Sequence, residues 1–282
     1  MGGFTSPALA IAVSNAGGLG MLTATVGRDA LSVNLDAVPS GCVVGVNFLV
    51  PLLDRDAVEL AADRCPLVEF FWGEPSPALV DLVHAHGASA SWQVGSAAEG
   101  RVAADAGCDL VIAQGVEAGG HVRGTTGLLP LLDEMVAAVE VPIVAAGGIG
   151  TGRAMAAALT AGADAVRVGT RFVAATESIA HPEYVDALVK ASAGDTVLTT
   201  AFAEGWPDAP HRVLRSAVSA GEALGASQVW TPDWPTMSYT GNVQARALYA
   251  GQSVGAIHRR QSAAEIVIEL MDEADAILHP TK

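Results

Sequence analysis

The segment Gln114-Gly115-Val116-Glu117-Ala118-Gly119-Gly120-His121-Val122-Arg123-Gly124 sets one imidazole in a glycine-rich turn directly after the apolar run Leu110 to Ala113. Glycines reach backbone angles closed to other residues and let a ligand approach the main chain. A histidine in such a turn is placed to touch that ligand. The plainer alternative is a tight turn whose histidine only bonds the backbone. A second turn of the same kind, Ala146-Gly147-Gly148-Ile149-Gly150-Thr151-Gly152, follows the apolar run Pro142 to Ala145. A helix starting near Gly152 would aim free amides and the positive end of its dipole at one spot, which suits an anion. Val168-Gly169-Thr170-Arg171 repeats the design one strand later and adds a hydroxyl and a guanidinium. Two such turns after consecutive strands describe a phosphate site, although each glycine set would also serve close helix–strand packing. The glycine spacing does not match a dinucleotide-binding loop, and no Walker lysine follows.

Other chemistries have less support. His84 and His86 flank a helix end beside Gly87 and are expected to be solvated, with no metal site there or elsewhere. No Gly-x-Ser-x-Gly elbow occurs, and Cys42, Cys65 and Cys108 form neither a disulfide framework nor a nucleophile motif. His181, before Pro182, starts a helix.

The elements that must position these turns are read from periodicity. Branched aliphatic runs recur at Leu19 to Thr23, Val43 to Val50, Leu67 to Phe71, Ala90 to Val94, Leu110 to Ala113, Ile143 to Ala145 and Ala165 to Val168. Segments with helical spacing lie between them, at Ser6 to Ser14, Asp54 to Asp63, Pro77 to His86, Ala97 to Ala106, Leu129 to Val139 and Arg153 to Ala161. Ser76, Ser96 and Thr151 stand at helix starts, and Gly87, Gly107 and Gly162 at helix ends. Ala106-Gly107-Cys108-Asp109 and Ala161-Gly162-Ala163-Asp164 are near-duplicates, each just before a strand. Strand, turn and helix repeated in this way build a parallel sheet, and ligand-type turns after several strands favour an α/β barrel over an open sheet. Seven strands are one short of closure, because no strand precedes Ser6 to Ser14.

Beyond Val168 the pattern changes. Residues 196–242 read as an irregular, lid-like segment carrying Trp206, Trp230 and Trp234, and 245–278 as helices broken near Gly251 to Gly255. No linker separates a second domain, so residues 1–282 are expected to form one unit.

Apolar residues make up 51% of the chain and aromatics 5%, as expected for helices wrapped around a buried parallel sheet. A net charge of -15 repels nucleic acid and acidic membranes. The five glycines among residues 2–20 and the lack of a basic leader argue against a signal peptide, and no run of about 18 apolar residues suggests a membrane span. A reducing cytoplasm fits the cysteine usage.

Met1-Gly2-Gly3-Phe4, Ser14 to Gly20, Gly45-Val46-Asn47, Gln114 to Gly124, Ala146 to Gly150 and Val168 to Phe172 together resemble the nitronate monooxygenase family, formerly 2-nitropropane dioxygenases. The resemblance covers nearly the whole chain. Its most specific element, Glu117 to His121, is shared with FMN-dependent enoyl-acyl-carrier-protein reductases. The resemblance implies an FMN-binding TIM (β/α)8-type barrel. Gly148, Gly169 and Thr170 would hold the FMN phosphate, and Asn47, Gln93 and Gly120 would lie along the ribityl chain and ring. Met1, Gly2, Gly119, Ala146 and Gly147 would complete the cofactor contacts, with His121 facing the flavin from the substrate side. Chains of this family usually begin earlier, with a strand ending in a turn matched here by Met1-Gly2, so the first barrel strand is expected to be missing. The implied reaction is oxidation of alkyl nitronates by FMN and oxygen. A second is reduction of an enoyl thioester by NAD(P)H through FMN, and a third reading is a non-catalytic flavin or phosphate binder. The partners are then small molecules and oxygen, and nothing in the sequence opposes a homo-oligomer.

Overall fold

A computed structural model describes residues 2–24, 27–206, 208–225 and 234–280. The alternation begins with α1 (Pro7–Asn15), β1 (Gly20–Thr23), α2 (Arg28–Asp36), β2 (Val44–Leu49), α3 (Arg55–Arg64), β3 (Leu67–Phe71) and α4 (Pro77–Ala85). It continues through β4 (Ser89–Val94), α5 (Ala97–Asp105), β5 (Leu110–Gln114), β6 (Gly120–His121), α6 (Leu128–Val136), β7 (Ile143–Ala146) and α7 (Gly152–Thr160). There follow β8 (Ala165–Arg167), α8 (Thr170–Val173), α9 (Pro182–Lys190), β9 (Thr196–Thr199), β10 (His211–Leu214), α10 (Arg215–Leu224) and α11 (Ala263–Leu278).

Seven parallel strands form one curled sheet in the order β1-β2-β3-β4-β5-β7-β8, the TIM-barrel type of α/β fold with β1 and β8 at its edges. Period-two alternation sorts the side chains. Val46 and Phe48 of β2, Val68 and Phe70 of β3, Ala90 and Trp92 of β4, and Val111 and Ala113 of β5 join the main core under the helices. Their neighbours in sequence, Asn47, Glu69, Ser91, Gln93 and Gln114, take the other face, so the inside of the curl is polar. On the side of the two edge strands a separate cluster unites Leu9 of α1, Phe172 of α8 and Ala263, Ile266 and Leu270 of α11, with Met155 of α7 packed against it. At β1 the approach is close: a Cβ on Gly20 would lie 2.0 Å from the carbonyl oxygen of Ala10 on α1.

The duplicated Ala-Gly-x-Asp phrases do the same work twice. Gly107 and Gly162 end their helices at φ 95° and 102°, in the region that favours glycine. Each following aspartate then accepts a neighbouring strand's amide: Asp109 from Ala90 at 2.7 Å, and Asp164 from Ile143 at 2.8 Å. Ser96 and Thr151 cap α5 and α7 as expected, whereas Ser76 makes no side-chain cap on α4.

The stretch 196–242 is more regular than its sequence suggests. It contains β9, β10 and α10, and β10 pairs with both β9 and the two-residue β6, giving an antiparallel sheet ordered β6-β10-β9. Only long-range pairing makes these short runs strands, so local pattern is a poor guide to them. Of the two helical pieces expected in 245–278, one forms as an α-helix, α11, capped by Ser262 and Glu265; a short 3-10 turn, Gln252–Ala256, falls where the break was expected. Helix α2 occupies a stretch not assigned from sequence. No helix among the described residues is long and apolar enough to cross a membrane.

Candidate active site

The glycine-rich stretch after β5 is built around one side chain, Gln114, at the end of that strand. Its Nε2 donates to the carbonyl of His121 at 2.8 Å, and its Oε1 accepts the Arg123 amide at 3.0 Å, clamping the backbone on both sides of Val122. Glu117 caps α6 by accepting the Leu128 amide at 3.1 Å. The Arg212 guanidinium of β10 donates to the Val116 carbonyl at 2.8 Å. Three polar side chains therefore fix the position of one imidazole, a role that local sequence assigns to none of them.

His121 sits among rings. Its centroid lies 4.4 Å from Trp206, 5.4 Å from His211, 5.6 Å from Trp72 and 6.0 Å from Tyr249. Trp72 and Trp206 also meet each other at 5.1 Å. Trp72 takes φ 64°, left-handed for a residue with a side chain, which costs about 1–3 kcal/mol and is tolerated where a side chain must be aimed. Its indole lies under the Arg123 guanidinium, 5.7 Å away, and that cation pairs with Glu99 at 2.8 Å. Burial, reinforced by the neighbouring His211, lowers the His121 pKa to about 4, so the imidazole is neutral at pH 7. Burial lowers the His211 pKa as well.

The two glycine turns expected to bind an anion are present but differ in detail from expectation. Gly147 and Gly148 follow β7 at φ 100° and 72°. Among the described residues no hydrogen bond engages the amides of Gly148 or Gly169, so two adjacent strand ends offer free donors. The first turn of α7 does not contribute: Thr151 accepts the Ala154 amide, and the Glu273 carboxylate takes the Gly152 amide at 2.7 Å. Arg171 is likewise committed elsewhere. It is buried, donates to the Gly150 carbonyl at 2.7 Å and to Gln261 at 3.0 Å, and pairs with Glu269 at 2.7 Å. Glycine is also required where main chains meet behind the turns. A Cβ on Gly119 would lie 2.4 Å from the Gly251 amide nitrogen, and Thr170 Oγ1 accepts that same amide at 3.0 Å. Gly120, at φ 73°, has open space where a Cβ would stand.

Asn47 and Gln93 lie on the inner face of the sheet and belong to a polar quartet invisible in the sequence. Arg167 of β8 reaches across to Glu69 of β3, which also accepts from Asn47, and donates to Gln93 Oε1 at 3.1 Å. Glu69 is only 2% exposed. Ala146 closes β7 and accepts the Gly115 amide at 2.9 Å, joining the two glycine turns. Gly2 lies in a short 3-10 turn whose Phe4 packs on Tyr184 at 5.2 Å; Met1 and Trp230 lie outside the described residues.

Residues set aside from the sequence stay outside the site. His84 and His86, expected to be solvated, are partly exposed and hydrogen-bond Asp109 at 2.9 Å and Asp63 at 2.7 Å. No group of three or more metal-ligating side chains occurs among the described residues. Burial raises the thiol of Cys65 to about 11 and that of Cys108 to about 12, so neither is a nucleophile.

This geometry can be set beside known proteins. The chain is 34% identical to the nitronate monooxygenase npaC of Metarhizium robertsii, over 97% of this chain and 89% of that one. It superposes on FabK from Thermotoga maritima with a TM-score of 0.87 at 32% identity, covering 99% of this chain and 91% of that one. For the nitroalkane oxidase of Streptomyces ansochromogenes the TM-score is 0.82 at 30% identity, with 99% and 95% covered. The family model described as nitronate monooxygenase matches residues 40–273, which hold the ring cluster around His121 and both glycine turns, and the chain belongs to that family.

Proposed function

We propose that the protein is an FMN-dependent enzyme that oxidises alkyl nitronates with molecular oxygen. The observation that carries this is the setting of His121: a neutral, backbone-clamped imidazole among rings, beside two turns with free amides. The residues fit the cofactor. The amides of Gly148 and Gly169 and the Thr170 hydroxyl would hold its phosphate. Gly119, Gly120, Ala146 and Gly147 would let it lie close to the main chain, and Met1 and Gly2 would add to the contacts. Asn47 and Gln93 would meet its ribityl chain or ring from the inner face of the sheet.

FMN, when bound, supplies the electron transfer and the reaction with oxygen. The protein's own residues bind, orient and move a proton. A neutral His121 is able to take the proton alpha to a nitro group; for a preformed nitronate it orients the anion through its N–H. Trp72 and Trp206 keep water from the imidazole. We read residues 1–282 as one barrel domain, with 196–242 as the lid that carries Trp206, and we assign the enzyme to the cytoplasm.

The test is a visible spectrum of the FMN-loaded protein followed by oxygen uptake with propionate 3-nitronate. A bound flavin and nitronate-dependent oxygen uptake are expected; a protein that takes up no FMN, or a yellow one inert to nitronates, refutes the reading. The likeness to FabK favours one alternative, an NAD(P)H-dependent reductase of enoyl thioesters. Anaerobic bleaching of the flavin by NAD(P)H but not by the nitronate would establish that alternative instead.

A further inference from the structure

One wall of the ring cluster carries polar atoms with nothing to bind. His211 is fully buried, and its Nδ1 lies 3.1 Å from the carbonyl oxygen of Ala209. Nδ1 therefore carries the proton and donates it to that carbonyl, which leaves Nε2 as a lone pair; Nε2 is buried and has no partner among the described residues. The hydroxyl of Tyr249 is also buried and has no partner among the described residues. The two rings stand edge to face at 5.6 Å, and His211 is the cross-strand partner of His121. Buried polar atoms are nearly always paired, so two orphans on one wall beside a candidate catalytic imidazole are suited to a ligand.

The other walls describe the ligand's shape. Trp72 and Trp206 pack on the same imidazole and on each other with flat indole surfaces. Planar, conjugated groups pack well there. The hydroxyl of Tyr249 can donate to an anionic oxygen at once; His211 can do so only after Nε2 gains a proton. The groups facing His211 are His121 from β6, Tyr249 from the segment after α10, and the uncharged ring of Phe202. The adjacent Arg212 guanidinium is turned to the Val116 carbonyl, and Arg123, over Trp72, is paired with Glu99. Neither cation is bonded to the wall itself.

We propose that His211 and Tyr249 form the polar wall of a substrate site selective for flat, conjugated monoanions, with His211 taking up one proton as the anion binds. The proposal rests on the reading of His121 as the catalytic histidine, and it deepens that reading by naming the substrate class: a nitronate conjugated to an aromatic ring is preferred to an aliphatic one.

The probe is benzoate, a flat monoanion that is not oxidised. It is titrated calorimetrically into FMN-treated protein at pH 7.5, in phosphate and in Tris, whose different heats of ionisation reveal proton uptake. The wild type is expected to take up about one proton per benzoate. Benzamide and cyclohexanecarboxylate should bind about tenfold more weakly, the loss of one good contact. His211→Gln should abolish proton uptake, His121→Asn should retain it, and Tyr249→Phe should weaken binding about tenfold with uptake unchanged. Far-ultraviolet circular dichroism checks that each variant is folded, and the shape-conserving Tyr249→Phe keeps the test open should His211→Gln unfold. Proton uptake by His211→Gln equal to that of the wild type, equal affinity for benzamide, or no binding of benzoate by the wild type would overturn the proposal. A protein that binds benzoate in this way but takes up no FMN removes the flavin reading alone; one that takes up FMN and ignores benzoate removes the wall alone.

Discussion

Replacing Arg167 by Met isolates what the polar interior of the sheet contributes. Glu69 is 2% exposed and has two partners, the Arg167 guanidinium and the Asn47 amide, while the Arg167 side chain is 23% exposed and also donates to Gln93. The variant leaves the carboxylate buried with a neutral amide alone. Removing one partner of a buried pair costs about 3–5 kcal/mol, because the remaining charge is left uncompensated. Replacing both, as Glu69→Gln with Arg167→Met, removes the charge as well as its partner and should cost less than the single change. For a domain of this size about 3 kcal/mol corresponds to a fall in Tm of roughly 5 °C. Urea unfolding and thermal melts of the wild type, both single variants and the double variant give the coupling directly. A coupling near zero, or a double variant less stable than Arg167→Met, would refute the idea that Glu69 depends on Arg167. FMN titration of the same set should show weaker binding in Arg167→Met, since the quartet holds Asn47 and Gln93 in place.

Other outcomes follow from the same structure. Gly119→Ala drives a Cβ to within 2.4 Å of the Gly251 amide nitrogen, a backbone atom with little room to yield, so thermal stability and FMN affinity should both fall, measured by melting and by flavin titration. Because the His121 pKa is lowered to about 4 from an unfolded value near 6.5, the unfolded chain binds the extra proton first. Stability from this group is complete above about pH 6.5 and is lost as pH falls towards 4, by at most about 3 kcal/mol, and His121→Asn should flatten that part of the urea-derived stability profile. Trp72→Gly relieves about 1–3 kcal/mol of left-handed backbone strain but removes a ring packed on Phe71, His121 and Trp206, which is worth about as much or more; it should lower Tm, read by thermal melting, while raising KM for nitronate.

Much of the fold was legible because parallel strands buried under helices leave plain marks: branched runs at even intervals, glycines at φ 95° and 102° where helices end, and the twin Asp109 and Asp164. The glycine-rich turns that carry His121, Gly148 and Gly169 were legible as junctions after strands for the same reason. What the chain hid depends on contacts distant in sequence. Glu69 and Arg167 are 98 residues apart and meet only because the sheet curls. His211 joins His121 only through the pairing of β10 with the two-residue β6, too short to announce itself. Arg171 looked like an anion ligand from its neighbours, yet its guanidinium is taken up by the Gly150 carbonyl, Gln261 and Glu269 of α11.

The central claim is that His121 works on a substrate beside a flavin held by the two turns. Oxygen uptake with propionate 3-nitronate, expressed per bound FMN and compared between wild type and His121→Asn, tests it most directly. The variant is expected to keep its flavin, as judged by the visible spectrum, and to turn over about 10²- to 10⁴-fold more slowly. Equal turnover per flavin in the two proteins would contradict the claim.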